Sequence, residues 1–493
     1  MCICLLIVVV GQAINLNRPF VNIEYAFSEA ARSLADSQYT DGIERYWMAQ
    51  ANPLGYSALA SVCVRLFGYD HWTVRVPAVF GMVALLCAGW LYCRRYPGDS
   101  DPPGAGQFWL WAALIALNPL VWIYGGSATA DVLPAGLIAL SLVMCFVADT
   151  KMRWHVVAGL LFAATIVMKL NAILLGLGFV YVVWHGKAPI KTKLVQLLNY
   201  TLVPALGLVA YFSVVYSQYG VLLVPDAIWN LVKDKDYIAD YPAIVLMYLS
   251  YLVMLLGLIG IMPIINTFTH GSRRRATVVT LAALVAGIAA WLILSDFGQG
   301  ELDYGVFSRL LPAKLFTLIR VAGLMVAVFL FVHLFESVRK RTDGFAGVVV
   351  FSIVPFLLIW SLYRPTQRYL LLCLPIVLIW LILESPRDTR NWLNRLGWPT
   401  AVVFAAITFV GVCYITSLGQ AAENMALWIR QNGDVNNTSP GVITQHARHH
   451  FPVKRVSRPR YVVVSSTDAD VLHEEAVRLF GHNVQTFYLV EVR

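Results

Sequence analysis

The sequence predicts an all-α polytopic membrane protein: about thirteen membrane-spanning helices, amphipathic juxtamembrane helices in the first loop, and a small C-terminal α/β domain outside the bilayer. Three observations carry this. Of 493 residues, 59% are hydrophobic and 13% charged, where a soluble domain carries roughly 25% charged residues. Apolar runs of near-span length recur as far as residue 417 and are joined by short basic turns. Composition turns polar only in residues 18–73 and 418–493.

The first run, Met1 to Leu16, is short for a span of about 20 residues. It has neither the basic start nor the small-residue cleavage site of a signal peptide, so it reads as the first helix. In residues 18–73, Tyr25–Leu34 and Tyr56–Phe67 are amphipathic and are expected to lie on the membrane surface. Further spans are expected at 74–93, 107–125, 132–149, 155–168, 172–185, 197–218, 243–267, 277–295, 313–334, 346–361, 368–384 and 399–417. Residues 155–185 are long enough for one helix, but the polar pair Lys169 and Asn171 points to a hairpin of two short ones.

Charge orients the bundle. With 18–73 outside and the sides alternating, the cytoplasmic turns hold Arg94/Arg95, Lys151/Arg153, Lys187/Lys191/Lys193, Arg273/Arg274/Arg275, Arg339/Lys340/Arg341 and Arg387/Arg390/Arg395. Sixteen cations in six short turns satisfy the positive-inside rule. An odd helix count then sends the C-terminus outside. The expected domains are a transmembrane unit, 1–417, and an extracytoplasmic unit, 418–493, with strands at Tyr461–Ser465 and Val484–Val492 flanking a helix at Asp468–Phe480. Overlapping N-x-[ST] sequons at Asn436 and Asn437 fall on the outer side.

The net charge of +9 does not mark a nucleic-acid binder, because the cations lie in loops between spans rather than on a basic stripe with interleaved aromatics. Eight scattered cysteines, several inside apolar runs, have neither metal-ligand spacing nor a disulfide pattern. His71, His449 and His450 lack partners at ligand spacing, so no metal site is expected. No internal repeat is present.

The topology gathers polar groups on the outer face: Glu24, Asn52 and Arg75 from the first loop, Asp131, Lys169 and Asn171 from later turns, and Tyr363, Arg364, Gln367 and Arg368 late in the chain. A sugar on a polyprenyl phosphate already has a good leaving group. An enzyme using it must hold the departing phosphate with cations and deprotonate an acceptor hydroxyl with a carboxylate. Each residue also has a plainer reading. Glu24 is then a solvated loop acid, Asp131 the N-cap of the next helix, Lys169 a snorkelling side chain, and Arg364 and Arg368 interface anchors.

Several motifs in order resemble the GT-C membrane glycosyltransferases, in particular the protein O-mannosyltransferase and lipid A aminoarabinose transferase superfamily. An acid after the first helix opens an amphipathic helix, Glu24-Tyr25-Ala26 to Ala31-Arg32-Ser33-Leu34. Asn52-Pro53-Leu54-Gly55-Tyr56, Leu66-Phe67-Gly68 and Arg75-Val76-Pro77 follow, then a small-residue turn from Ser127 to Asp131 before Pro134. Met168-Lys169-Leu170 stands at the family's Thr-Lys-Gly element without its threonine or glycine, and Arg368-Tyr369-Leu370-Leu371 runs on to Leu374-Pro375. Where the family carries Asp, often Asp-Glu, this chain reads Val21-Asn22-Ile23-Glu24.

The resemblance implies an inverting glycosyltransferase that moves a sugar from a polyprenyl- or dolichyl-phosphate donor to a protein, lipid or glycan hydroxyl on the outer or luminal face. Glu24 would be the general base and Asp131 would orient it or the acceptor. Arg75, Lys169, Arg364, Arg368, Tyr369 and Asn52 would bind substrate. No cofactor is called for, a divalent cation being the one addition left open. The alternative is a transporter or flippase of lipid-linked sugars without transferase activity. That function asks for a midplane polar pathway and repeat symmetry, whereas these residues lie at helix ends beside a 56-residue loop.

Overall fold

A computed structural model describes residues 8, 10–13, 15–21, 24–36, 42–44, 46, 52–96, 103–148, 151–220, 237–294, 313–340, 344–362, 367–432, 436, 438–440, 461–465, 471–479 and 481–491. The first expected span is helical where described, at 8, 10–13, 15 and 16, and its remaining residues lie outside the described set. The two amphipathic segments of the first loop form α1 (Glu24–Ala35) and α2 (Gly55–Phe67), which pack on each other.

The membrane bundle is α3 (Val76–Arg95), α4 (Ala105–Ala116), α5 (Pro119–Gly125), α6 (Val132–Ala148), α7 (Met152–Met168), α8 (Leu177–His185), α9 (Ile190–Tyr219), α10 (Tyr237–Leu256), α11 (Met262–His270), α12 (Arg273–Leu294), α13 (Ala313–Lys340), α14 (Phe345–Trp360), α15 (Leu374–Leu378) and α16 (Arg387–Asn432). Short 3-10 turns cover Thr73–Arg75, Leu170–Gly176, Gly257–Ile261 and Gln367–Leu372, and a π-turn covers Ile379–Leu383. Each of the twelve spans expected from residue 74 onward falls on one of these helices or on two or three of these helical elements joined end to end.

Among the described residues, six helical stretches are long and apolar enough to cross a membrane, one of them the joined α10–α11 run Tyr241–Thr269. The α4–α5 pair, bent by 62°, is a seventh if taken as one span. Asn118 and Pro119 cause the bend: Pro119 cannot donate back into α4, and the Asn118 side chain caps α5 by accepting from the Leu120 N–H at 3.1 Å. The other five expected spans are apolar helical stretches of 10–17 residues. Lipid is the solvent of the outer helices. On α9 the residues Leu194, Leu198, Leu202, Leu206 and Val209 form one exposed stripe, and on α12 Val278, Leu281, Val285, Ile288 and Leu292 form another.

Close packing inside the bundle fixes the start of α6. Helices α3 and α6 approach through glycine: a Cβ on Gly81 would stand 2.5 Å from the Leu133 backbone, and one on Gly136 would stand 2.2 Å from the Gly81 carbonyl oxygen. Small residues at such a crossing let two backbones touch. The α6 N-terminus, with Asp131 just before it, is therefore held against the first loop's exit.

Contacts at the two ends sort the turns. Arg275 at the start of α12 pairs with Glu336 near the end of α13, and Glu384 accepts from Phe345 N and Ala346 N at the start of α14. The basic turns thus share one end of the bundle. The turns carrying Asp131, Lys169 and Arg368 share the other.

Helix α16 has 46 residues and, at about 1.5 Å per residue, is roughly 70 Å long, more than twice a hydrocarbon core. It runs unbroken across the expected domain boundary at 417/418. Its C-terminal half carries a four-stranded sheet of order β1-β2-β4-β3, with β1 Thr438–Ser439, β2 Tyr461–Val464, β3 Val471–Leu479 and β4 His482–Glu491. The expected helix at Asp468–Phe480 is instead strand β3. It is paired antiparallel with β4 through the tight Gly481 turn, whose φ of +83° suits glycine. The Trp428 and His473 rings stack at 4.3 Å, fixing β3 on α16.

Candidate active site

Two buried ion-pair clusters face each other across the turn 126–131. The first is built on Glu24, the opening residue of α1, which has no exposed surface. Its Oε1 accepts from Arg75 Nε at 3.0 Å and from the Ala128 main-chain N–H at 2.7 Å. Its Oε2 accepts from Arg18 Nη1 at 2.7 Å, Val21 N at 2.9 Å and Arg75 Nη2 at 3.2 Å. Burial pushes this carboxyl up, but the charges of Arg18 and Arg75 and the hydrogen bonds from Arg75 and Val21 outweigh it and hold it at about 2.

The arginines are themselves anchored. Arg18 Nη2 donates to Ser127 Oγ at 2.7 Å, and Arg75 Nη1 donates to the Leu16 and Arg18 carbonyls, each at 2.6 Å. Arg75 also lies over the Phe20 ring, 5.1 Å from its centroid. Every lone pair of the Glu24 carboxylate is engaged. In this arrangement it clamps the exit of the first span to α3 and to the turn that leads into α6.

The second cluster is built on Asp131 and Lys169, which form a buried ion pair across 38 residues of sequence. Asp131 precedes α6 and its carbonyl accepts from Ala135 N at 3.1 Å, as an N-cap's does, but its carboxylate is turned to Lys169. Lys169 ends α7. Its backbone is extended (φ −149°, ψ 95°), its N–H still bonds to the Thr165 carbonyl, and a 3-10 turn follows, so the polar pair does break the hairpin. The Lys169 ammonium stands 4.9 Å from the centroid of the Tyr369 ring, and the Arg368 guanidinium 5.6 Å from the same ring. Burial raises the Asp131 carboxyl, but the Lys169 and Arg368 charges overcome it and hold the group below its ordinary value.

Two residues along, Asn171 is buried and neither its Oδ1 nor its Nδ2 has a hydrogen-bond partner. The first loop reaches this cluster at Gly55, where any Cβ would come within 2.5 Å of the Val167 carbonyl oxygen, and Leu54 N donates to Tyr211 OH at 2.6 Å.

Of the residues singled out from sequence, Glu24 and Arg75 therefore meet in one cluster and Asp131, Lys169, Arg368 and Tyr369 in the other. Asn52 is half-buried just ahead of α2, its carbonyl accepting from Tyr46 OH at 2.9 Å. Arg364 lies outside the described residues. Sequence reasoning passes over Arg18, whose only signal is a cation directly after the first apolar run, and the Ala128 N–H, which has none. Among the described residues no group of three or more His, Cys, Asp or Glu is placed to hold a metal ion. A cavity of about 230 Å³ opens at the opposite, basic-turn end, lined by residues including Asn266, His333, Glu336, Lys340 and Trp380, and it shares no residue with either cluster.

Fold and site together define a multi-pass helical membrane protein with buried acid–base clusters at one end of its helices. No family model and no curated protein matches the chain. Among solved structures, the chain is similar to ArnT from Cupriavidus metallidurans bound to undecaprenyl phosphate, at 15% identity and a TM-score of 0.46 over 99% of this chain and 97% of that one. It is similar to the apo state of the same protein at 14% identity and a TM-score of 0.46, with the same coverage. It is also similar to the archaeal oligosaccharyltransferase AglB from Archaeoglobus fulgidus, in complex with an inhibitory peptide and a dolichol-phosphate, at 12% identity and a TM-score of 0.37 over 92% of this chain and 60% of that one.

Proposed function

We propose that the protein is an inverting glycosyltransferase that moves a sugar from a polyprenyl- or dolichyl-phosphate donor to an acceptor hydroxyl. The reaction takes place on the face bearing the first loop, and the basic turns at the other end support reading it as the outer or luminal one. The observation that carries this reading is the buried Asp131–Lys169 pair beside Tyr369 and Arg368. It sets a carboxylate and two cations at a helix-end level a lipid phosphate can reach.

Lys169 and Arg368 hold the donor phosphate. As Lys169 turns to the phosphate, Asp131 loses its largest stabilising charge and its proton affinity rises. The acceptor O–H then gives its proton to Asp131 while the acceptor oxygen bonds to the anomeric carbon. The bond from that carbon to the phosphate oxygen breaks with its electron pair, releasing polyprenyl phosphate to the two cations. Asn171 offers an unused amide to a sugar or acceptor hydroxyl. Glu24, with five donors on its carboxylate, is assigned to the clamp in place of the expected base, and Arg75 to that clamp in place of substrate contact. Both supports lie under the turn that presents Asp131.

The test incubates purified protein with undecaprenyl- and dolichyl-phosphate monosaccharides labelled in the sugar, together with a membrane extract as acceptor source. Label moving to an acceptor, with polyprenyl phosphate released, supports the reading. Donor that crosses vesicle bilayers intact, with no release, replaces it by the flippase alternative.

A further inference from the structure

Helix α13 carries a cation that the proposed reaction does not use. Arg320 lies about 10 Å along α13 from its start at Ala313, on the same end of the bundle as Asp131 and Lys169. Only 2% of it is exposed. Its Nη2 donates to Thr317 Oγ1 at 3.3 Å and its guanidinium lies 5.1 Å from the Phe316 ring centroid. Its Nε and Nη1 are buried with no hydrogen-bond partner, and among the described residues no carboxylate pairs with it. Arginine does not give up its proton in a protein. A guanidinium held this way in a membrane helix is a desolvated charge with two donors unspent, among the costliest groups a span can carry.

An anion removes that cost, and the position says which kind. Arg320 sits inside a span whose neighbouring side chains Leu315 and Leu318 are exposed to lipid. Helix α10 separates it from the Asp131 cluster: α13 packs along α10, with Phe316 6.1 Å from Tyr251, and α10 packs in turn on the Gln367–Leu372 turn that bears Arg368 and Tyr369. We propose that Arg320 binds the phosphate of a membrane lipid, a second phosphate position on the site face, through Nε or Nη1, which lack partners, each acting with the Nη2 hydrogen that Thr317 leaves free. Guanidinium and phosphate match as a bidentate pair. The identity of the lipid as an isoprenoid phosphate rests on the proposed function; the phosphate site itself does not.

The test compares full-length wild type with Arg320→Leu, Arg320→Gln and Arg320→Lys in detergent. Undecaprenyl phosphate and inorganic phosphate are the probes, read by retention in native mass spectrometry and by thermal shift, without any sugar transfer. Charge-assisted hydrogen bonds of this kind are worth about 1.5–3 kcal/mol, roughly a 10- to 100-fold change in affinity. Arg320→Leu and Arg320→Gln are expected to weaken by that factor the binding of a second undecaprenyl phosphate, leaving the one held by Lys169 and Arg368 in place. Arg320→Lys, which keeps the charge and loses the fork, is expected to weaken it several-fold.

The unliganded Arg320→Leu protein is expected to melt higher than wild type, because an uncompensated charge has gone, yet to be stabilised less than wild type by undecaprenyl phosphate. The opposite pair of results, a lower melting temperature with an unchanged ligand shift, overturns the proposal and makes Arg320 a structural cation. Should the leucine variant not fold, unchanged binding by Arg320→Lys and Arg320→Gln overturns it equally. Competition by millimolar inorganic phosphate overturns the lipid assignment. Arg320-dependent binding by a protein that moves no label from the sugar-phosphate donors of the transfer assay retires the transferase reading and leaves this site standing.

Discussion

The Oε1 atom of Glu24 accepts a 2.7 Å hydrogen bond from the main-chain N–H of Ala128, three residues before Asp131. This contact joins the two clusters. The same turn that completes the coordination of one carboxylate presents the other to Lys169, so the first loop sets the position of Asp131 without touching its carboxylate. A carboxylate fixed by five donors is suited to holding a turn in place; one paired with an ammonium is suited to exchanging it for a phosphate.

Glu24→Gln is therefore expected to act first on stability. Removing the charge strands Arg18 and Arg75 in a buried site, and breaking a buried pair costs about 3–5 kcal/mol. Thermal melting in detergent should fall clearly while Glu24→Asp, which keeps the charge, falls less. Acid should do the same to wild type. Because the folded carboxyl is held at about 2 against an ordinary 4.5, its contribution is complete above pH 4.5 and drains away as pH falls toward 2. A melting profile that is flat across that window, and equal in Glu24→Gln, would dismiss the clamp.

Asp131→Asn is expected to lower turnover by about 10²- to 10⁴-fold, the range for loss of a general base. It also leaves Lys169 buried without its partner, so lower activity alone would be ambiguous. The double variant Asp131→Leu with Lys169→Met removes both charges and should regain melting temperature without regaining transfer. Transfer that returns together with stability would show the pair to be structural. Since the Asp131 carboxyl is held below its ordinary 3.8 in the free protein, kcat/KM should stay level from pH 8 down to about 5 and fall only in stronger acid.

The parts of the fold that one helical face decides are legible in the chain: α1 and α2 follow from their 3.6-residue period, and the break after Met168 from two polar residues in an apolar run. Strand β3 is not legible in this way. Its sequence, Val471-Leu472-His473-Glu474-Glu475-Ala476-Val477-Arg478-Leu479, is rich in helix formers, and pairing with β4 across Gly481 overrides that preference. The role of Glu24 depends on convergence of Arg18, Arg75 and Ala128, separated from it by 6, 51 and 104 residues, which no local pattern encodes. Arg320 is visible as a cation two turns inside an apolar run, a signal that a count of loop charges alone ignores.

Gly55→Ala tests how the first loop meets the second cluster. The added methyl would stand 2.5 Å from the Val167 carbonyl oxygen and 3.1 Å from Met168 Cγ. Helix α2 must then move away from the end of α7, beside Lys169. Overpacking of this kind costs about 1–3 kcal/mol. Turnover should fall by more than the loss of folded protein explains, as measured by transfer per folded molecule. Normal transfer by a destabilised protein would separate the loop from the site.

The face of the membrane is the last expectation, and labelling decides it. In a cysteine-free background, a single cysteine replacing Asp70, exposed in the first loop, should react with a membrane-impermeant maleimide added to intact cells or sealed vesicles of native orientation. Single cysteines replacing Lys187 or Arg274, exposed in basic turns at the other end, should react only after the membrane is opened. The contrast follows from the cost of carrying clustered Lys and Arg across the bilayer during insertion, which retains basic turns in the cytoplasm. The reverse labelling pattern would put Asp131 and Lys169 on the cytoplasmic side, and with them the donor and acceptor of any reaction they serve.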